Sequence, residues 1–329
     1  MPGIFTHFLC GDVVLRQLND TPAAKLLEKH RQAFNLGTQG PDILFYHGAW
    51  PWAKDEGMNK IGDQLHEHGS GIFFRQALHY IDNFEGEKRD ILTAYLCGFT
   101  CHYCLDLHAH PYIFYSTGFV RPGEAETKKY EYYHREFETT LDVLMLKRQQ
   151  DIAPADFHAA DLIAVSAGEA DSISKMYETV LPVSLGIEID ARQLSKAISD
   201  MVGITRVLHD RTGLKKKLLA AVEKRLGKYP LLSSMIHPLS VTDDLDYLNL
   251  KHGEWCLPWD DSTCFNTSLI DMFDAAVAEA CTLCTAVYDC SRHGMAVDDA
   301  VLLLGNRSFS SGIDCEENAE FKYYNCIYE

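Results

Sequence analysis

The sequence predicts an all-α fold, a multi-helix bundle with long ordered loops. Apolar residues recur at helical spacing through most of the chain. Glycine, proline and tryptophan gather in a few stretches between these runs. No internal repeat, low-complexity tract or flexible linker divides them, so one mostly helical domain is expected.

Taken in order, residues 21–35 form an amphipathic segment with a capping threonine and a proline just inside it. Residues 35–62 (NLGTQGPDILFYHGAWPWAKDEGMNKIG) read as a long ordered loop. Helices are expected over 70–83, 86–110 and 125–150, with Pro111 ending the second of them. Others are expected over 156–163, 166–181, 190–208, 212–228 and 268–288. Residues 240–267 look loop-like around LNLKHGEWCLPWDDST. From Cys290 the pattern weakens. Residues 1–289 are therefore expected to make the helical domain, and 290–329 an irregular extension packed on it.

Charge and cysteine content narrow the function. With 47 acidic and 30 basic residues the formal charge is -17, which disfavours non-specific attraction to nucleic acid or anionic lipid. Bound divalent cations would reverse that sign locally. The opening MPGIFTHFLCGDVVL has neither a basic stretch nor an apolar core of the kind secretory signals carry. No apolar run reaches spanning length. The eleven cysteines are scattered and odd in number, so a reduced, cytoplasmic protein is expected.

The stretch Cys101–Pro111, CHYCLDLHAHP, concentrates the chemistry. At about 100° per residue, Asp106 lies about 40° and His110 about 80° from His102, so the three share one stripe. Cys97, Cys101, Cys104 and His108 fall on the opposite side, and the cysteines read as core residues. Two histidines and an aspartate on an otherwise apolar helix need partners or a cation, because bare burial would cost several kcal/mol. In the next long segment, YYHREFE sets His134 and Glu138 four residues apart on one face. Facing helices that offer inward imidazoles and carboxylates are how bundles hold metal clusters. A donor set without thiolate suits zinc ahead of manganese or iron.

These motifs, with MPGIFTHFLCGD, LGTQGPDILFY, IGDQLHEHGSGIFF and YLCGFTCHYCLDLHAHPYI in order before YYHREFE, resemble the zinc-dependent phospholipase C family, related to the S1/P1-type nucleases. A weaker likeness lies in LNLKHGEWCLPWD. The resemblance implies a phospholipase C/P1 nuclease-like bundle holding two or three zinc ions. It implies a first site of Asp42, His66, His102 and Asp106, with Asp106 bridging and His68 the alternative to His66. His110, His134 and Glu138 would hold a second ion, and His7 would join Asp106 at a third. In secreted members the mature N-terminal residue also chelates the third metal, a part that Pro2 would have to play here. The spacing from Asp106 to His110 is tighter than in those enzymes.

The implied activity is phosphodiester hydrolysis, phospholipase C-type cleavage of a phospholipid, with Asp42 orienting or deprotonating the attacking water. Trp50 and Trp52 either line the cleft, dip into a lipid interface or pack their loop. A transient membrane-surface contact and no obligate protein partner are expected. The alternatives are a nuclease or phosphomonoesterase with the same cluster, or an inactive metal- or lipid-binding relative. Nucleic acid is the less favoured substrate.

Overall fold

Helices α1 (Ile4–Gln17), α2 (Pro22–Lys29) and α3 (Arg31–Gly37) open the chain in the computed structural model, which describes residues 3–50, 52–53, 56–227, 229–242, 244–317 and 319–329. The single segment expected over 21–35 is thus two helices. His30 leaves the helical region (φ -112°, ψ 42°), and α3 turns away. Arg31 fixes the new direction through Asp12 and Asn35.

The stretch expected as a loop over 35–62 holds a 3-10 helix, Gly40–Tyr46, and the start of α4 (Met58–Glu67). Helix α4 buries Met58, Ile61, Gly62, Leu65 and His66, the spacing of one helical face. Its periodicity is masked by the glycine and tryptophan just before it. Next come α5 (Ser70–Asp82) and α6 (Gly86–Thr117).

Helix α6 is the axis of the fold. Its residues from Leu92 to Leu107 are all buried, and a helix buried all round sits inside a domain. It does not stop at Pro111. Proline removes the bond to the carbonyl four residues back, at Leu107. Gly312 lies against that carbonyl, so close that an added Cβ would sit 2.7 Å from the oxygen. The C-terminal segment therefore covers the break.

Helix α7 (Lys129–Gln150) follows a 3-10 turn, Ala125–Lys128. The helix expected over 156–163 is only a 3-10 turn, Pro154–Asp156, and the one-turn α8 (Ala159–Leu162). Helices α9 (Ala167–Ser184) and α10 (Ala191–Leu208) start with capping boxes at Ser166 and Asp190. Then come α11 (Leu214–Arg225) and α12 (Leu231–Ser234). Among the described residues the sheet is one antiparallel hairpin, β1 (Trp255–Leu257) and β2 (Asp260–Phe265), inside the stretch expected as loop. A disulfide joins Cys256 to Cys264 across it, which corrects the expectation that every cysteine is reduced. Helix α13 (Leu269–Arg292) packs along α6, and α14 (Val297–Leu304) follows. Regular structure thus persists into the stretch expected to be irregular, although the described residues of 306–329 hold only a bridge between Arg307 and Asp314. The class is all-α. No helix is long and apolar enough to cross a membrane among the described residues.

Candidate metal centre

Helix α6 presents His102, Asp106 and His110 to one side, all buried. The other side meets α13, where Cys97, Cys101 and Cys104 are buried and Cys101 Sγ lies 3.7 Å from Cys284 Sγ. His108 pairs there with Glu279 at 2.8 Å. The cysteines of this helix belong to the core.

Four other elements bring side chains to the stripe. Helices α3 and α6 approach until Gly37 and Gly98 touch; a Cβ on Gly98 would lie 2.0 Å from the Phe34 carbonyl. That contact leads the chain past His102. Gly40 (φ +51°) runs so near the ring that a Cβ would stand 2.3 Å from it, and Asp42 follows within the 3-10 helix. His66 faces inward from the last turn of α4, whereas His68 is exposed, so geometry separates the two candidates. His134 and Glu138 come from α7, Nε2 to Oε1 2.7 Å. His7 comes from α1, whose first turn is tied to α7. Asp142 accepts bonds from Phe5 N (3.1 Å), Thr6 N (2.8 Å) and Thr6 Oγ1 (2.7 Å), and from His237 Nε2 (2.7 Å). Pro2 lies outside the described residues.

Asp106 is the meeting point. Its Oδ1 is 3.3 Å from His7 Nε2 and 3.7 Å from His110 Nε2. Its Oδ2 is 3.0 Å from His102 Nε2 and 3.9 Å from His66 Nε2. Asp42 Oδ1 lies 3.2 Å from His66 Nε2 and 4.0 Å from His102 Nε2. Donors at about 2.0–2.1 Å from a tetrahedral ion stand about 3.3 Å apart, which these spacings bracket. Three donor groups emerge, each within 4.8 Å: His7, His102 and Asp106; Asp42, His66 and His102; His110, His134 and Glu138. All eight expected residues lie in them.

Hydrogen bonding tests the fit to a cation. Nε2 of His7, His66, His102 and His110, Asp42 Oδ1 and both Asp106 oxygens are buried with no hydrogen bond among the described residues. Orphans are rare in a folded interior, and here seven face one another. Meanwhile Nδ1 of His66, His102 and His110 meets the carbonyls of Gly62 (2.7 Å), Thr38 (3.2 Å) and Phe309 (2.7 Å). A carbonyl can only accept, so each Nδ1 carries the proton and each Nε2 presents a lone pair. That is the tautomer a metal ligand needs. Burial also pushes the pKa of His7, His110 and His134 down, favouring the neutral ring. At His66 burial opposes the charge, but the Asp42 and Asp106 carboxylates outweigh it and hold the ring above its ordinary value. At Asp106 burial likewise opposes the charge, yet His102, His110 and His7 outweigh it and keep the carboxyl well below the usual range.

Some participants escape sequence reasoning. Phe309 lies in the irregular tail, yet its carbonyl holds His110, its N–H donates to the His66 carbonyl (2.8 Å) and its ring packs on His66 and His102. A lone phenylalanine in a weakly patterned segment gives no signal of this. His237, distant in sequence, supports Asp142. Trp50 is packed, with Nε1 donating to Asp200 at 2.9 Å, while Trp52 stacks on it and is 78% exposed.

A cleft of about 810 Å³ opens beside His134 and extends to Glu67, the neighbour of His66. Phe114, Phe119, Tyr130 and Phe321 give it aromatic walls, and Arg121, Arg135 and Lys322 line it as members of ion pairs. The hairpin supports one wall: Trp259 stacks on Phe321, and Pro258 O accepts from Lys322 N and Tyr323 N.

No curated protein and no solved structure matches the chain. A family description does: residues 6–185 match that of zinc-dependent phospholipase C. The match takes in the whole donor cluster, from His7 to Glu138, and more than half of the sequence; the chain belongs to the zinc-dependent phospholipase C family.

Proposed function

We propose that the chain is a zinc-dependent phosphodiester hydrolase that cleaves a phospholipid to diacylglycerol and a phosphorylated head group. The observation that carries this reading is the set of seven buried, unsatisfied donor atoms around Asp106, with His134 beside His110 lining an aromatic-walled cleft. Asp42, His66, His102 and Asp106 would hold one ion, and His110, His134 and Glu138 a second. His7 with Asp106 would hold a third. Zinc bound there supplies positive charge for the phosphoryl oxygens and lowers the pKa of a water toward neutrality.

The chain's own groups do the rest. The carbonyls of Gly62, Thr38 and Phe309 fix three rings, so no reorganisation is needed when phosphate charge develops. Asp42 sits at the edge of the cluster and retains slight exposure, which suits it to orient the attacking water and take its proton. The aromatic walls receive the apolar part of the substrate.

Phosphatidylcholine, single-stranded DNA and an aryl phosphodiester, offered separately to protein purified without chelators, test the reading. Release of diacylglycerol with little DNA cleavage is expected. Cleavage of DNA alone would make the chain a nuclease; two or three zinc ions with no turnover would make it a binding relative. A cytoplasmic location rests on the nine free cysteines, whereas the bonded pair on the hairpin favours an oxidising setting.

A further inference from the structure

Leu214, Leu218 and Val222 repeat at four-residue intervals on α11, and Leu226 continues them just past its end. Such residues lie on one stripe, and a surface helix ordinarily turns that stripe to the core. Here the four are 59, 68, 54 and 65% exposed.

The mounting of the helix explains why. Its inner side is held by polar contacts: Glu223 accepts from Leu232 N (2.7 Å) and Ser233 N (3.1 Å), and Lys216 Nζ donates to Glu136 (2.9 Å) and to Ile236 O (2.9 Å). With polar groups inward, the leucines face out. Leu239 extends the patch beside Gly213, and Tyr229 and Leu232 extend it beyond Leu226.

Charge identifies the occupant. Between Arg211 and Arg225 six of fifteen residues are Lys or Arg and one is acidic, in a chain of net charge -17. Lys217 and Lys224 border one side of the stripe, and no carboxylate pairs with them, Arg211 or Arg225 among the described residues. An exposed apolar stripe edged by cations suits a surface that is apolar in depth and anionic at its face. A partner protein of opposite charge would supply the anions but not the depth of hydrocarbon.

We propose that α11 docks the protein on an anionic phospholipid bilayer, its leucine stripe entering the acyl boundary and its lysines meeting the head groups. This surface lies outside the matched family region and stands independently of the hydrolase reading. It adjoins the site all the same: Lys216 pairs with Glu136 of α7, the helix whose Glu131 and Arg135 line the cleft.

The test is co-sedimentation of the full chain with vesicles of phosphatidylcholine alone or with phosphatidylglycerol added, at 4 °C, beside turnover of a soluble aryl diester. Wild type is expected to pellet with the anionic vesicles and to be released by salt. Leu218→Asp, and separately Lys217→Glu with Lys224→Glu, should each lower binding about tenfold or more, with helicity and soluble-diester turnover unchanged. Both changes fall on exposed residues, so the double charge variant remains informative if the apolar one misfolds. Equal binding to neutral vesicles, or variants that bind like wild type, would overturn the proposal. So would a wild-type dimer split by Leu218→Asp, which would assign the stripe to a second copy. Failure to turn over any diester, with vesicle binding intact, would count against the hydrolase reading alone.

Discussion

Replacing Asp106 with asparagine separates a metal centre from a hydrogen-bonded core network. The substitution keeps shape, so it opens no cavity in α6. It removes the charge that stands 3.0–3.9 Å from four imidazole nitrogens. Without metal, the change should be nearly neutral: the carboxylate loses the attraction of the histidines that holds its pKa down, while the amide gains a donor to one Nε2 and leaves fewer unsatisfied acceptors. With metal, the loss should be large. Outer partners of ligands are worth 10–100-fold in affinity, so a ligand itself should be worth at least about 100-fold, or about 2.7 kcal/mol of zinc-linked stability per ion. Two ions sharing Asp106 give about 5 kcal/mol. Unfolding entropy of about 2.1 cal/mol/K per residue over 329 residues converts this to about 8 °C in Tm. Elemental analysis and thermal unfolding with and without added zinc provide the assay. Asp106→Asn should lose bound zinc and the zinc-dependent rise in Tm, while the stripped forms melt alike. A variant that keeps its zinc but melts lower without it would refute the metal reading and support the network.

Gly40→Ala should cut diester turnover about 100-fold by displacing the His102 ring, whereas Gly123→Ala, outside the donor set and at a positive φ of 86°, should cost about 1 kcal/mol of backbone strain and little activity. Asp142→Ala should cost about 3–5 kcal/mol by leaving His237 and the first turn of α1 without their acceptor, and denaturant melts alongside zinc counts should show lost stability with the ion nearest His7 bound most weakly. In zinc-stripped protein, His7, His110 and His134 have folded pKa values below the ordinary value of about 6.5, so stability should fall as pH drops below that point, by up to about 1.4 kcal/mol per pH unit for each. His66, shifted up, acts in the opposite sense, its contribution being present below about 6.5 and lost as pH rises through its folded value; urea melts from pH 5 to 8 measure the net slope. Reducing Cys256–Cys264 should raise the thiol count from nine to eleven and raise KM more than it lowers kcat, because the hairpin supports Phe321 in the cleft wall.

Local pattern carried the parts of this fold that depend on neighbours along the chain. The phase of α6, which sets His102, Asp106 and His110 on one side and the cysteines on the other, follows from helical geometry, as does the pairing of His134 with Glu138. Which remote segments would join them came from the resemblance of motifs, since periodicity says nothing about where Asp42, His66 or His7 end up. Tertiary packing decided the rest. Helix α6 runs on past Pro111, and Gly312, two hundred residues later, packs against the Leu107 carbonyl that the proline leaves without its helical donor. The hairpin bond needed Cys256 and Cys264 brought across a turn. The rings take their tautomers from the carbonyls of Gly62, Thr38 and Phe309, and a carbonyl is the one polar group every residue carries, so sequence cannot single it out. Residue types and their spacing thus determined which donors exist and which share a helix face; only the folded backbone decided how they are aimed.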